Sequence, residues 1–182
     1  IFVITESPSA AVTMQLCTDP NAPKLPAYIA VLGNRFIVSA GGTPTMSLSQ
    51  IDLGGAPGAP HQLPNEWFTI PDGLSGHALF AQATGVIGQL ASLNNQMYVF
   101  TDFSVDIWSN IPTRLIVLDV EQDFPFKLSS AYQWNVGISD PHSLVIDFGF
   151  MVWLAKNRSG LVTFMMSDGR SPQTISTQAV NV

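Results

Sequence analysis

The residues best suited to chemistry are six scattered carboxylates, Glu66, Asp72, Asp102, Asp106, Asp140 and Asp147. A pair of these brought together would do acid and base work of the kind that cleaves glycosidic bonds. No spacing singles out two of them, and carboxylates at strand ends commonly cap turns. The three histidines, His61, His77 and His142, lack the close spacing of a zinc site. His142 follows Asp140-Pro141, a turn sequence, and all three read as structural. No metal site and no cofactor is expected. Cys17 is the single cysteine, unable to form an internal disulfide, and reads as a small buried hydrophobe. Trp67, Trp108, Trp134 and Trp153 have the ring area to stack on a sugar, but their apolar neighbours favour packing instead.

Ser167-Asp-Gly-Arg-Ser171 is similar to the aspartate-containing hairpins of sialidase propellers, without the aromatic that completes them. Asp-Gly is a common turn dipeptide, and a turn is the simpler reading. Gly-rich phosphate loops, nucleophile elbows and Cys–His constellations do not occur. The chain is not read as an enzyme.

The elements that position these residues repeat. Ala30-Val-Leu-Gly-Asn-Arg-Phe-Ile-Val-Ser-Ala40, Ala91-Ser-Leu-Asn-Asn-Gln-Met-Tyr-Val-Phe-Thr101 and Val145-Ile-Asp-Phe-Gly-Phe-Met-Val-Trp-Leu-Ala155 each give an apolar strand, a short turn and a second apolar strand. With Phe36, Met97 and Met151 aligned, the spacings are about 61 and 54 residues, in the range of propeller and solenoid repeats. Gly33-Asn34, Asn94-Asn95 and Phe148-Gly149 supply residues for two-residue hairpins.

Extended outward, the repeat predicts three units of four strands. The first, residues 27–70, has strands at Ala27–Leu32, Arg35–Ala40, Met46–Asp52 and Glu66–Ile70, with Leu53–Pro60 a flexible linker. The second, residues 87–129, has Ile87–Leu93, Gln96–Thr101, Ser104–Trp108 and Phe126–Ser129. The third, residues 143–177, has Ser143–Ile146, Phe150–Ala155, Leu161–Phe164 and Gln173–Ser176. Residues 110–123 are an insertion whose Leu115–Val120 core reads as one extra strand, with Leu115 and Val117 as partner contacts. Ile1–Thr5 and Ala11–Thr18 read as strands of a preceding partial blade.

These features predict an all-β chain forming a single domain over residues 1–182. Its expected form is β-propeller-type repeats of four-stranded antiparallel blades, about three plus an N-terminal partial blade. A stack of sandwiched sheets is the alternative. Apolar runs such as Phe36-Ile-Val38 suit strands covered on both faces. Phe36, Met97, Met151 and Trp153 are the expected core. Propellers close with about four to eight blades, so a part of a larger propeller is expected. Opening on Ile1 without a charged leader or cleavage site suits a processed chain or an excised fragment.

The composition is 46% hydrophobic and 11% charged, against roughly 25% charged in ordinary soluble domains. No apolar run reaches the roughly 18 residues of a membrane helix, so assembly is the preferred explanation and no membrane partner is expected. With seven Lys and Arg and a net charge of −6, the chain has no cation cluster to grip phosphates, which argues against direct nucleic-acid binding.

The order Ser104-Val-Asp-Ile-Trp-Ser-Asn110, Phe124-Pro-Phe126, Gly137-Ile138, Ser143, Val152-Trp-Leu154, Gly160, Asp168-Gly169 and Ile175-Ser-Thr177 resembles the packaged-DNA stabilisation proteins of short-tailed bacteriophages. The likeness runs from Ser104 to Val182; the 110–123 insertion is outside the family pattern. It implies a virion structural protein, a tail hub and head-completion factor in a six-fold ring. Its partners would be other copies, the portal or its adaptor, and tail needle or spike proteins. It would be assembled in the host cytoplasm and located in the tail. A carbohydrate-binding propeller and a glycan-processing propeller enzyme are the alternatives.

Overall fold

A computed structural model describes residues 2–6, 12–16, 23, 25–33, 35–40, 42–49, 85–117, 120–124, 126–129 and 133–176. The expected strand Glu66–Ile70, the linker Leu53–Pro60, and Cys17, His61, His77, Glu66, Asp72 and Trp67 lie outside the described residues. The chain is all-β. Strands β1 (Phe2–Glu6) and β2 (Val12–Leu16) pair antiparallel as a hairpin of their own.

The first sheet is β3 (Pro26–Leu32), β4 (Arg35–Ala40) and β5 (Met46–Leu48), in that order. Leu32 closes on Arg35 across a two-residue turn begun by Gly33 at φ 57°. In the second sheet β6 (Ile87–Leu93), β7 (Gln96–Thr101) and β8 (Val105–Ser109) form a meander. Its turn holds Asn94 and Asn95 at φ 51° and 58°, the doubly positive geometry that suits the twist of a hairpin.

The chain then leaves this sheet. β9 (Thr113–Val117) and β10 (Val120–Phe124) make a separate hairpin before β11 (Lys127–Leu128) returns to pair with β8. The single extra strand expected over Leu115–Val120 is therefore corrected to two. Val117 pairs with Val120, so the two strands run antiparallel. Reversal gives the polar Glu121-Gln-Asp123 a partner strand that one extended strand would have lacked.

The third sheet holds β12 (Gly137–Ile138), β13 (Val145–Asp147), β14 (Phe150–Lys156), β15 (Val162–Ser167) and β16 (Gln173–Thr174). β12 and β13 lie on the same edge of β14, with Ile138 opposite Ala155 and Val145 opposite Val152. The first strand of this unit is thus split by a 3-10 turn at Pro141–Ser143. A segment as short and Gly-containing as Gly137-Ile138 carries almost no strand signal of its own.

The three sheets stack with the second in the middle. Ala30, Leu32, Ile37, Met46 and Leu48 of the first pack on Leu90, Met97, Val99, Trp108 and Phe126 of the second. On its opposite side Ala91, Tyr98, Phe100 and Ile107 pack on Trp134, Met151, Trp153 and Met165. Successive β7 side chains alternate between these two layers, and Met97 through Phe100 are all fully buried. Coverage on both faces is why the strand reads as an unbroken apolar run. Each such large side chain contributes about 1.5–3 kcal/mol of burial. Met97, Met151 and Trp153 occupy the core as expected. Phe36 does not: it is only partly buried, because it points away from the second sheet. On that outer side Ile29 and Val31 are 59% and 52% exposed, while Val38 is buried.

Candidate functional site

The described carboxylates stay local. Asp140 Oδ1 accepts from His142 N at 2.9 Å and caps the 3-10 turn; His142 itself is exposed. Asp147 Oδ1 accepts from Phe148 N at 2.9 Å, and Asp168 Oδ1 from Arg170 N at 3.1 Å. Asp102 is exposed. Asp106 is the exception, 3% exposed within β8. Burial pushes its carboxyl above the usual carboxylate range, partly opposed by Gln133 Nε2, which donates to Oδ1 at 2.6 Å. No group of three His, Cys, Asp or Glu among the described residues is placed to hold a metal ion.

The Ser167–Ser171 turn serves as a latch between sheets. Asn94 Nδ2 donates to Asp168 O at 3.0 Å. The Tyr98 hydroxyl lies 2.7 Å from Gln96 Oε1 and 3.1 Å from Gly169 O, one proton shared between two acceptors. Burial, aided by the nearby Asp168 charge, pushes this hydroxyl up to about 12. Gly169, at φ 98°, leaves room for the ring: a Cβ there would lie 2.6 Å from the Tyr98 hydroxyl. The same corner recurs one interface earlier. The Gly33 turn of the first sheet abuts Asn110 at the end of β8, where a Cβ on Gly33 would come within 2.8 Å of Asn110 Oδ1. Arg35, buried beside that turn, donates from Nη1 to Ser49 O at 3.0 Å.

The described tryptophans are packing residues. Trp134 and Trp153 stack with centroids 5.8 Å apart and planes 10° from parallel. Phe100 meets Trp153 edge-on at 5.4 Å, and Tyr98 tilts against Trp134 at the same distance. Trp153 Nε1 donates to Gly137 O at 3.3 Å. Trp108 is 7% exposed. None of the three presents a ring to a sugar.

What sequence reasoning missed is the outer face of the third sheet. Val145, Phe150, Phe164 and Ile175 are 58%, 43%, 41% and 47% exposed, and Phe148 at the turn tip is 92% exposed with φ 46°. A bulky aromatic in the left-handed region and in full contact with water is an uncommon combination. At the rim of this face Phe150, Met166, Asp168, Arg170 and Gln173 line an open hollow of about 320 Å³. The available signal was the alternation in β15, where Phe164 and Met166 face away from buried Met165 and Ser167. Leu115 and Val117, expected as partner contacts, lie on β9 of the separate hairpin.

The chain matches no protein-family model and no curated protein sequence. No helix among the described residues is long and apolar enough to cross a membrane.

Proposed function

We propose that this chain is a virion structural protein: a propeller-type stack of four-stranded blades acting as tail hub and head-completion factor of a short-tailed bacteriophage. It works by geometry, closing the portal vertex after DNA packaging, and not by catalysis. Copies form a ring that contacts the portal or its adaptor above and the tail needle or spike below. The β9–β10 hairpin, with Leu115 and Val117, stands clear of the stacked strands in sequence and pairing and serves as a partner contact.

The observation that carries this reading is the apolar side chains left exposed on the outer sides of the first and third described sheets, Ile29 and Val31 on one and Val145, Phe150 and Phe164 on the other. Contiguous exposed apolar surface marks sites of association. The motif order from Ser104 to Val182 supports the phage assignment. The net charge of −6 suits a plug past which DNA moves without adhering. The test is genetic. Particles made without the protein should fill with DNA and then lose it, read as nuclease-sensitive DNA, and mass spectrometry of wild-type particles should detect the chain. Particles that lack the chain yet retain their DNA would refute the proposal.

A further inference from the structure

Equivalent positions in successive sheets can be matched through strand register. In the second sheet Ala91 pairs with Tyr98, Tyr98 with Ile107, and Phe100 with Val105. In the third sheet Val145 pairs with Val152, Val152 with Met166, and Leu154 with Phe164. The second-sheet set is buried against the third sheet. The third-sheet set is its counterpart one repeat later, and it is apolar and partly open to water.

The opposite end mirrors this. Leu90 pairs with Val99 and Ser92 with Met97, and Leu90, Met97 and Val99 are buried against the first sheet. Their first-sheet counterparts follow from Ile29 pairing with Val38 and Val31 with Phe36. Ile29 and Val31 are the exposed residues of that outer face. So the free face of the third sheet corresponds to a surface that, inside the chain, already packs on the next repeat. The outer face of the first sheet, open at Ile29 and Val31 while Val38 is buried, corresponds to the surface that receives it. The corner contacts repeat in step: the Gly33 turn meets Asn110, the Asn94 turn reaches Asp168, and the Phe148 turn projects with no described partner.

We infer that the outer face of the third sheet docks head to tail on the outer face of the first sheet of a second copy, continuing the internal stack between chains. Phe148 sits at the seam of that contact, where the two preceding turns meet their neighbours. Such an interface is heterologous: one partner offers Val145, Val152 and Phe164, the other Ile29, Val31 and Phe36. The inference rests on the stacked-repeat reading proposed above and gives its self-association a surface.

Sedimentation velocity on the whole chain tests it, using Phe164→Glu on one face and Ile29→Glu on the other. Both positions are exposed, so each variant should keep the wild-type melting temperature. Wild type is expected to grow in mass with concentration. Each variant alone should remain a monomer, while a mixture of the two should form dimers and stop there, since one intact face of each kind remains. A monomeric wild type, a variant that still self-associates, or a mixture that fails to pair would overturn the inference. Growth abolished by Phe164→Glu but untouched by Ile29→Glu would mean that two third-sheet faces meet each other, which also overturns it. Paired variants with no chain in particles would remove the virion role and leave the docking surface standing. A monomer found in particles would do the reverse.

Discussion

Replacing Trp153 by alanine removes the centre of the layer between the second and third sheets. The indole is fully buried, stacked on Trp134 and touched edge-on by Phe100. Core truncations of this size cost about 3–5 kcal/mol, the range depending on how far the cavity collapses. Collapse is restricted here, because neighbouring Met151, Ala155 and Phe100 are held by strand register on both sides. The lost indole donor also removes one of the bonds to the Gly137 carbonyl, a contribution of about 1 kcal/mol within that range. For a chain of this length that loss corresponds to a melting temperature lower by roughly 6–20 °C. The assay is thermal unfolding followed by far-ultraviolet circular dichroism, with Trp153→Phe as companion. Phe keeps a ring in the layer, lacks the donor, and should lose less than alanine. A shift under about 2 °C for the alanine variant would show that these two sheets do not share this layer.

Three further outcomes follow from the same contacts. At Gly137→Ala the new Cβ would lie 2.3 Å from Thr101 O and Asp102 C, backbone atoms that no rotamer change relieves. A loss of about 3 kcal/mol or more, or insoluble protein, is expected, and wild-type solubility with an unchanged melting temperature would contradict the close approach. Tyr98 holds its proton more tightly when folded, at about 12 against an ordinary 10. Its contribution is complete below pH 10 and is lost as pH rises toward 12, about 2–3 kcal/mol in all. Tyr98→Phe should flatten that alkaline slope in urea titrations, and an identical slope in both proteins would count against it. Asp106, raised by burial, favours the folded state at acidic pH and loses that advantage as pH climbs through its native value. Asp106→Asn keeps the acceptor for Gln133 and should raise stability at neutral pH by on the order of 1 kcal/mol; a less stable variant would show that the charge itself is needed.

The repeat was legible because hairpins announce themselves locally. Gly33, the Asn94-Asn95 pair and Phe148-Gly149 sit at turns where the register closes across two residues. The double-sided burial of β7 was equally readable, since nothing in Met97-Tyr-Val-Phe100 alternates. Position within the stack was not. Phe36 and Met97 are equivalent by register, yet among the described sheets only Met97 has one packed on its side. A side chain's type records the face it belongs to, but whether that face is covered depends on a neighbour distant in sequence. The same limit hid the latch: Tyr98 and Gly169 meet across a sheet interface, and neither residue signals the other. β12 escaped notice because two residues pairing on an edge shared with β13 have no period to detect.

Hydroxyl-radical footprinting, read residue by residue with mass spectrometry on the dilute chain and on its assembled form, examines the free faces directly. Phe148, Phe150 and Phe164 should label strongly in the dilute chain and become protected on assembly, while Met97 and Met151 stay unlabelled in both. Equal labelling of the three phenylalanines in the two states would contradict the claim that the ends of the stack are where this protein is held.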